Sequence, residues 1–247
     1  MLNFLIAPDF PPKNFIGWHM FNTCLQRRTS QPVHLLTPTD HLEQMEWLDS
    51  KTVDLIYANP FDATKLVREK GYLPVAIPVD KFDEVVIATH LNSPYQHSDE
   101  LKAGCKIIAT DNFDVRLIGL RLLESAGVHE QDINWVPAST FPVAARNLID
   151  QQGDAAFFLA SAYHSFNNMT HSQLRVLMES SLKELSHVVL LHPSQADSQA
   201  LLQQAFADMI NHPADKMALE DLGLEKGFRV LTEEDVEFMI DLIDTLK

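Results

Sequence analysis

The sequence predicts an α/β fold of two lobes, each a mainly parallel sheet flanked by helices. Three observations predict it. Short apolar runs alternate with amphipathic segments over most of the 247 residues. The alternation comes in two sets that meet near residue 82. Glycines stand where helices should stop, at Gly71 and Gly127. Strands alternating with helices of this length need crossover connections, and crossovers make neighbouring strands parallel.

The first set opens with the apolar run Leu2–Ala7, followed by the turn sequence Pro8-Asp9-Phe10-Pro11-Pro12 and an amphipathic segment from Asn14 to about Arg28. Residues 32–37 read as a second strand. Residues 39–48 read as a helix, with Thr39 or Asp40 as its N-cap, because a short side-chain oxygen can accept from the first free amides. Val53–Ala58 is a third strand, and residues 61–70 are the helix after it, closed by Gly71.

The second set begins with extended runs over 72–79 and 84–90, divided by Asp80-Lys81-Phe82-Asp83. A short helix near 98–103 precedes a strand at 106–110. Helix 114–126, strand 133–137, helix 141–152 and strand 154–159 follow. Residues 174–178 and 187–191 are further strands. The remainder reads as helices at 195–210, 214–222 and 233–246. The chain crosses between lobes twice, which makes the first lobe discontinuous: 1–82 with 190–247, against 83–189 for the second.

Composition narrows the function. Hydrophobic residues make up 46% of the chain, enough for a substantial core. There are 19 basic and 34 acidic residues, a net charge of −15. Nucleic-acid binding needs a basic footprint, so it is excluded as an expectation. No run of about 18 apolar residues exists, so no direct membrane insertion is expected. The segment Met1–Pro8 lacks a basic n-region and a long apolar core and reads as a first strand. The sequence as it stands therefore implies a cytoplasmic protein, and a periplasmic one if a leader precedes it.

Signatures of chemistry are missing. Cys24 and Cys105 form neither a C-x-x-C pair nor a zinc pattern, and read as buried thiols. The eleven histidines show no metal-ligand spacing. No nucleophile elbow, phosphate loop or dinucleotide fingerprint occurs, and glycines number only eight. No catalytic residue, metal or cofactor is expected.

The stretches at Val53–Val79, "VDLIYANPFDATKLVREKGYLPVAIPV", at Ser98–Gly127, "SDELKAGCKIIATDNFDVRLIGLRLLESAG", and at Gly153–Phe166, "GDAAFFLASAYHSF", together with the tail Leu201–Met239, resemble the type 2 periplasmic substrate-binding proteins. Within these, the similarity is to the phosphate/phosphonate-type group of ABC transporter binding proteins. Asp99-Glu-Leu-Lys-Ala-Gly104 is similar to that group's helix-to-strand turn, and Gly153-Asp-Ala-Ala156 to one of its strands. The resemblance implies a small polar ligand held between the lobes at strand ends and helix N-termini, bound by hinge closure. It implies ABC transporter membrane subunits as partners.

Candidate ligand-binding residues follow from strand ends. Asp9 and Phe10 follow the first strand; the competing reading is a rigid proline turn with Phe10 packed inward. Tyr57, Asn59 and Phe61 surround the third strand's end, where Asn59 either faces a ligand or simply caps the helix begun by Pro60. Asp111 and Asn112 stand where phosphonate binders carry a Ser/Thr-rich run, here replaced by Thr110-Asp-Asn-Phe-Asp114, with Arg116 two residues beyond. Two carboxylates there would repel a dianion unless Arg116 intervened. A smaller anion, a zwitterion or a cationic group fits them better. Thr140 precedes a helix as cap or amide donor, and Tyr163 could close over a ligand. Three alternatives stay open: an enzyme on the same fold, a soluble ligand sensor, and an interaction domain whose ligand site has been lost.

Overall fold

The computed structural model describes residues 1–10, 14–50 and 53–246. Pro11 and Pro12 of the expected proline turn lie outside them. The chain forms two units, Met1–Phe82 with Glu184–Thr245 and Asp83–Lys183.

The first passage through the first unit gives β1 (Leu2–Ile6), α1 (Asn14–Thr29), β2 (Val33–Leu36), α2 (His41–Ser50), β3 (Leu55–Ala58), α3 (Pro60–Lys70) and β4 (Leu73–Pro78). The second unit contains β5 (Val85–His90), β6 (Lys106–Ala109), α4 (Phe113–Glu124), β7 (Asn134–Pro137), α5 (Phe141–Ile149), β8 (Ala155–Leu159), α6 (Ala160–His164), α7 (Asn168–His171) and β9 (Leu174–Glu179). The chain then returns to the first unit as β10 (Val188–Leu191), α8 (Gln199–Asp208), α9 (Pro213–Asp221) and β11 (Phe228–Val230), and ends in α10 (Glu233–Leu246).

The first sheet has the order β11-β4-β10-β3-β1-β2. Strands joined through helices pair in parallel as the alternation predicts: β1 with β2 and β1 with β3. The returning β10 inserts antiparallel between β3 and β4, and β11 adds antiparallel to the edge at β4. The sheet is therefore mixed. A helical crossover fixes strand direction, whereas a strand entering from outside the unit carries no such constraint. The second sheet, β7-β6-β8-β5-β9, is mixed in the same way: β6 is parallel to β7 and β8, and β5 runs against β8 and β9.

Fully buried apolar runs explain the central strands. All four residues of β3 and of β10 and all five of β8 are buried. In the first unit, Phe4 meets the edges of Trp18 and Phe206 at centroid distances of 6.3 Å each, and Phe21 lies 5.8 Å from Phe228. Each such ring contributes about 2–3 kcal/mol by burial. Phe228 thus anchors the three-residue β11, which the hydrophobic pattern did not predict. The expected helix over 195–210 is instead a 3-10 segment, Pro193–Ser198, then α8, then the 3-10 turn Met209–Asn211. Gln195, at φ −108°, breaks the regular dihedrals after Pro193.

Local caps hold the helix ends. Asp40, the second of the two expected choices for α2, accepts from the Glu43 amide at 2.9 Å. Gly71 ends α3 at φ 67°, a left-handed conformation that costs glycine little, and its amide reaches back to the α3 carbonyls. Among the described residues, no helix is long and apolar enough to cross a membrane.

Candidate functional site

Register brings three polar residues to one end of the first sheet. Ile6 pairs with Tyr57 across β1 and β3, and the Ala7 amide donates to the Tyr57 carbonyl at 3.0 Å. Asp9 and Asn59 therefore leave adjacent parallel strands side by side. Because β10 runs the other way, with Val188 opposite Ala58, its preceding residue His187 arrives at the same end.

These side chains form a buried network. Asn59 Nδ2 donates to Asp9 Oδ2 and to Asp62 Oδ2, each at 3.2 Å. Asn59 Oδ1 accepts from the Asp62 amide at 2.9 Å, so the residue is also the N-cap of α3. His187 Nε2 lies 3.1 Å from Asp9 Oδ2. Gln44 of α2 donates through Nε2 to Asp62 Oδ2 at 2.7 Å, and His41 Nδ1 lies 3.6 Å from the same oxygen. Asp9, Gln44, Asn59, Asp62 and His187 are all buried.

The electrostatics follow from that burial. Desolvation pushes the Asp62 carboxyl above the ordinary carboxylate range, and the charge of Asp9 adds to the shift. His41, the Gln44 hydrogen bond and Lys65 act in the opposite direction. Two carboxylates sharing one amide donor disfavour full ionisation of both.

An aromatic group adjoins the network. Phe10 is half-buried, stacks on Tyr57 at 5.6 Å and 16°, and meets the His187 ring at 4.9 Å and Trp18 at 5.9 Å. Tyr57 itself is 3% exposed and belongs to the core. Phe61 is buried in the first turn of α3, with Lys65 Nζ 4.7 Å from its ring centroid.

The second unit gathers a separate set. Its parallel strands β6, β7 and β8 end on one side, which places Asp111 and Asn112, Thr140, and the start of α6 at the same sheet end. Asp111 is exposed. Asn112 caps α4 by accepting from the Val115 amide at 3.0 Å. Thr140 caps α5, its Oγ1 accepting from the Val143 amide at 3.4 Å. Arg116 points elsewhere: its guanidinium pairs with Glu130 at 2.6 Å and lies 4.1 Å from the centre of the Trp135 ring. Tyr163 is 4% exposed, packed on Phe158 at 5.7 Å, Phe166 at 5.8 Å and His171 at 4.9 Å. Burial pushes its phenol up, with Glu179 adding to the shift.

Sequence reasoning named Asp9, Phe10, Tyr57 and Asn59, which the fold brings to one sheet end, but missed Gln44, Asp62 and His187. Asp62 carried a readable signal, the Asn59-Pro-Phe-Asp62 spacing of a cap and its third helical residue. His187 carried none, because it meets Asp9 only through the antiparallel insertion of β10. Among the described residues, no group of three or more His, Cys, Asp or Glu could hold a metal ion.

Comparisons with known proteins agree with this architecture. Residues 4–236 match the family described as ABC transporter, phosphonate, periplasmic substrate-binding protein. The chain belongs to that family of solute-binding proteins. Among solved structures it is similar to PhnD1 of Prochlorococcus marinus in complex with methylphosphonate, at 13% identity and a TM-score of 0.83, covering 99% of this chain and 97% of that one. It is similar to a binding-protein component of a phosphonate ABC transporter from Pseudomonas aeruginosa, at 16% identity and a TM-score of 0.84, covering 99% and 84%. The periplasmic aliphatic sulphonate-binding protein SsuA of Escherichia coli aligns at 17% identity and a TM-score of 0.70, over 99% and 86%. At these identities the likeness is one of fold. A comparison with curated proteins gives no match.

Proposed function

We propose that this chain is the solute-recognition component of an ABC-type importer, working in the periplasm with membrane subunits of that transporter. It takes one small polar ligand between its two units, which close on it about the crossings near residue 82 and between residues 183 and 190. The family match over residues 4–236 carries this reading. Each unit by itself gathers polar groups at a sheet end: Asp9, Asn59 and His187 in the first, Asn112 and Thr140 in the second. Strand ends and helix N-termini are where open α/β sheets hold ligands.

The chain acts by binding, with no covalent step. A second reading, an enzyme on the same fold, has one observation in its favour: the raised carboxyl of Asp62 beside Asp9, the kind of pairing that separates an acid from a base.

The test is a thermal-shift panel of phosphonates, phosphate, sulfonates, amino acids and polyamines, repeated on Asn59→Ala and Asp111→Ala. A compound at about 100 times its dissociation constant adds about 2.7 kcal/mol of stability. A shift in the wild type that both variants lose supports a site drawing on both units. Mass spectrometry of the stabilising mixture decides between the readings, since a binder returns its ligand unchanged.

A further inference from the structure

We propose that the sheet end of the first unit recognises a cationic nitrogen, so that the solute is an amine or guanidine compound rather than a phosphonate. The inference rests on the solute-binding reading and deepens it.

Four observations lead there. First, Asp9 and Asp62 are buried together and both accept from Asn59 Nδ2, with His187 beside Asp9 and Gln44 and His41 beside Asp62. Such a pair favours an incoming positive charge and opposes an anion. Second, Gln44 is fully buried, its Nε2 is held by Asp62, and its Oε1 accepts from no donor among the described residues. A buried acceptor without a donor is costly, and this one sits on the amide that touches Asp62. An ammonium or guanidinium carries several N–H donors and can serve a carboxylate and an amide oxygen at once.

Third, one N-terminal amide of α3 and one of α4, which could help to cradle an anion, are already taken by cap side chains. Asn59 takes the Asp62 amide of α3, and Asn112 takes the Val115 amide of α4. In the second unit the α4 run is Asp111-Asn112-Phe113-Asp114, and Arg116 is turned onto Glu130 and Trp135. Fourth, the chain's net charge of −15 attracts cations over distance and repels dianions. The charged and titratable groups facing Asp62 are Asp9 after β1, His41 of α2 and Lys65 of α3, with His187 before β10 meeting Asp9. His41, His187 and Lys65 temper the negative field but leave the Gln44 oxygen unserved.

The test is isothermal titration of the full chain with putrescine, arginine, methylphosphonate and ethanesulfonate. The expected result is binding of putrescine or arginine, none of the two anions, and at least a tenfold loss of affinity in Asp62→Asn and in Gln44→Leu. If Asp62→Asn fails to fold, Gln44→Leu carries the test with the same expected loss of cation affinity. Binding of methylphosphonate or ethanesulfonate without the cations overturns this inference and leaves the solute-binding reading standing. Cation binding that both variants retain overturns it as well. If none of the four compounds binds, the inference falls, and the solute-binding reading is left to the wider thermal-shift panel.

Discussion

Asn59 and Asp62 hold each other twice. The Asn59 oxygen accepts from the Asp62 backbone amide at 2.9 Å, while the Asn59 nitrogen donates to the Asp62 carboxylate at 3.2 Å. One side chain therefore starts α3 and supplies a donor to two buried acids.

Asn59→Ala should remove both services. Losing an N-cap costs about 1 kcal/mol, and leaving buried carboxylates short of a donor costs about 1–3 kcal/mol. The sum, about 2–4 kcal/mol, should appear as a lower denaturant midpoint with an unchanged slope. Asn59→Asp keeps the cap oxygen but adds a third acid, and should be worse than alanine at neutral pH. A milder effect of aspartate would show that the donor half of the interaction contributes nothing.

Two acids should give opposite pH signatures. The folded pKa of Asp62 is raised, so the fold binds more protons than the unfolded chain, and this contribution to stability declines as pH rises through the carboxylate range. Asp62→Asn should accordingly gain on the wild type as pH increases. Asp235 is the reverse case. A bidentate Arg229, at 2.7 and 2.8 Å, holds its carboxyl well below the usual range, with further hydrogen bonds from Thr232. Its contribution is present above the ordinary carboxylate pKa of about 3.9 and fades as pH falls below it. Asp235→Asn should be less stable at neutral pH, and the deficit should close in acid. Urea melts from pH 3 to pH 8 read both trends.

Thiol reactivity should report unfolding. Burial, reinforced by Asp215, pushes the Cys24 thiol up to about 11, and burial raises that of Cys105. The thiolate is the reactive form, so a disulfide reagent at pH 8 should modify neither cysteine quickly in the folded protein. Both should react at once in denaturant. Rapid labelling of one thiol in the native protein would mean that its element opens far more readily than its burial implies.

Gly119 and Gly71 should respond differently to alanine. Alanine normally favours a helix interior over glycine by about 1 kcal/mol. At Gly119 in α4, however, a Cβ would lie 2.4 Å from the buried Phe157 ring. Overpacking of that kind costs about 1–3 kcal/mol or more, so it outweighs the helical gain and the variant should be destabilised. At Gly71 nothing lies within 4 Å and only the left-handed backbone resists, a cost of about 1 kcal/mol. Thermal melts of the two variants test the ranking.

Much of this was legible in the sequence because it is local. The strand–helix alternation, the Asn59 cap and the Gly71 stop depend on neighbours a few residues apart. What escaped depends on distance along the chain. His187 reaches Asp9 across 178 positions, through a strand whose direction no crossover helix dictates. The three-residue β11 pairs with β4 at the sheet edge and packs one ring, Phe228, against Phe21 and Phe206. Arg116 stands two residues from Asp114 yet turns to Glu130 and Trp135, because a flat guanidinium gains more on an aromatic face with a facing acid than near a helix start.

The place of β10 between β3 and β4 also sets an order of events during synthesis. When residue 82 has left the ribosome, β1, β2 and β3 can assemble, but β4 has neither of its native neighbours. The slot stays open until Val188–Leu191 emerges, more than one hundred residues later, and β11 follows later still. The second unit, whose strands are contiguous in the chain, can be complete by then. The nascent protein thus carries an unfilled sheet through most of its translation, and the buried acids of the first unit gain His187 only when that gap closes.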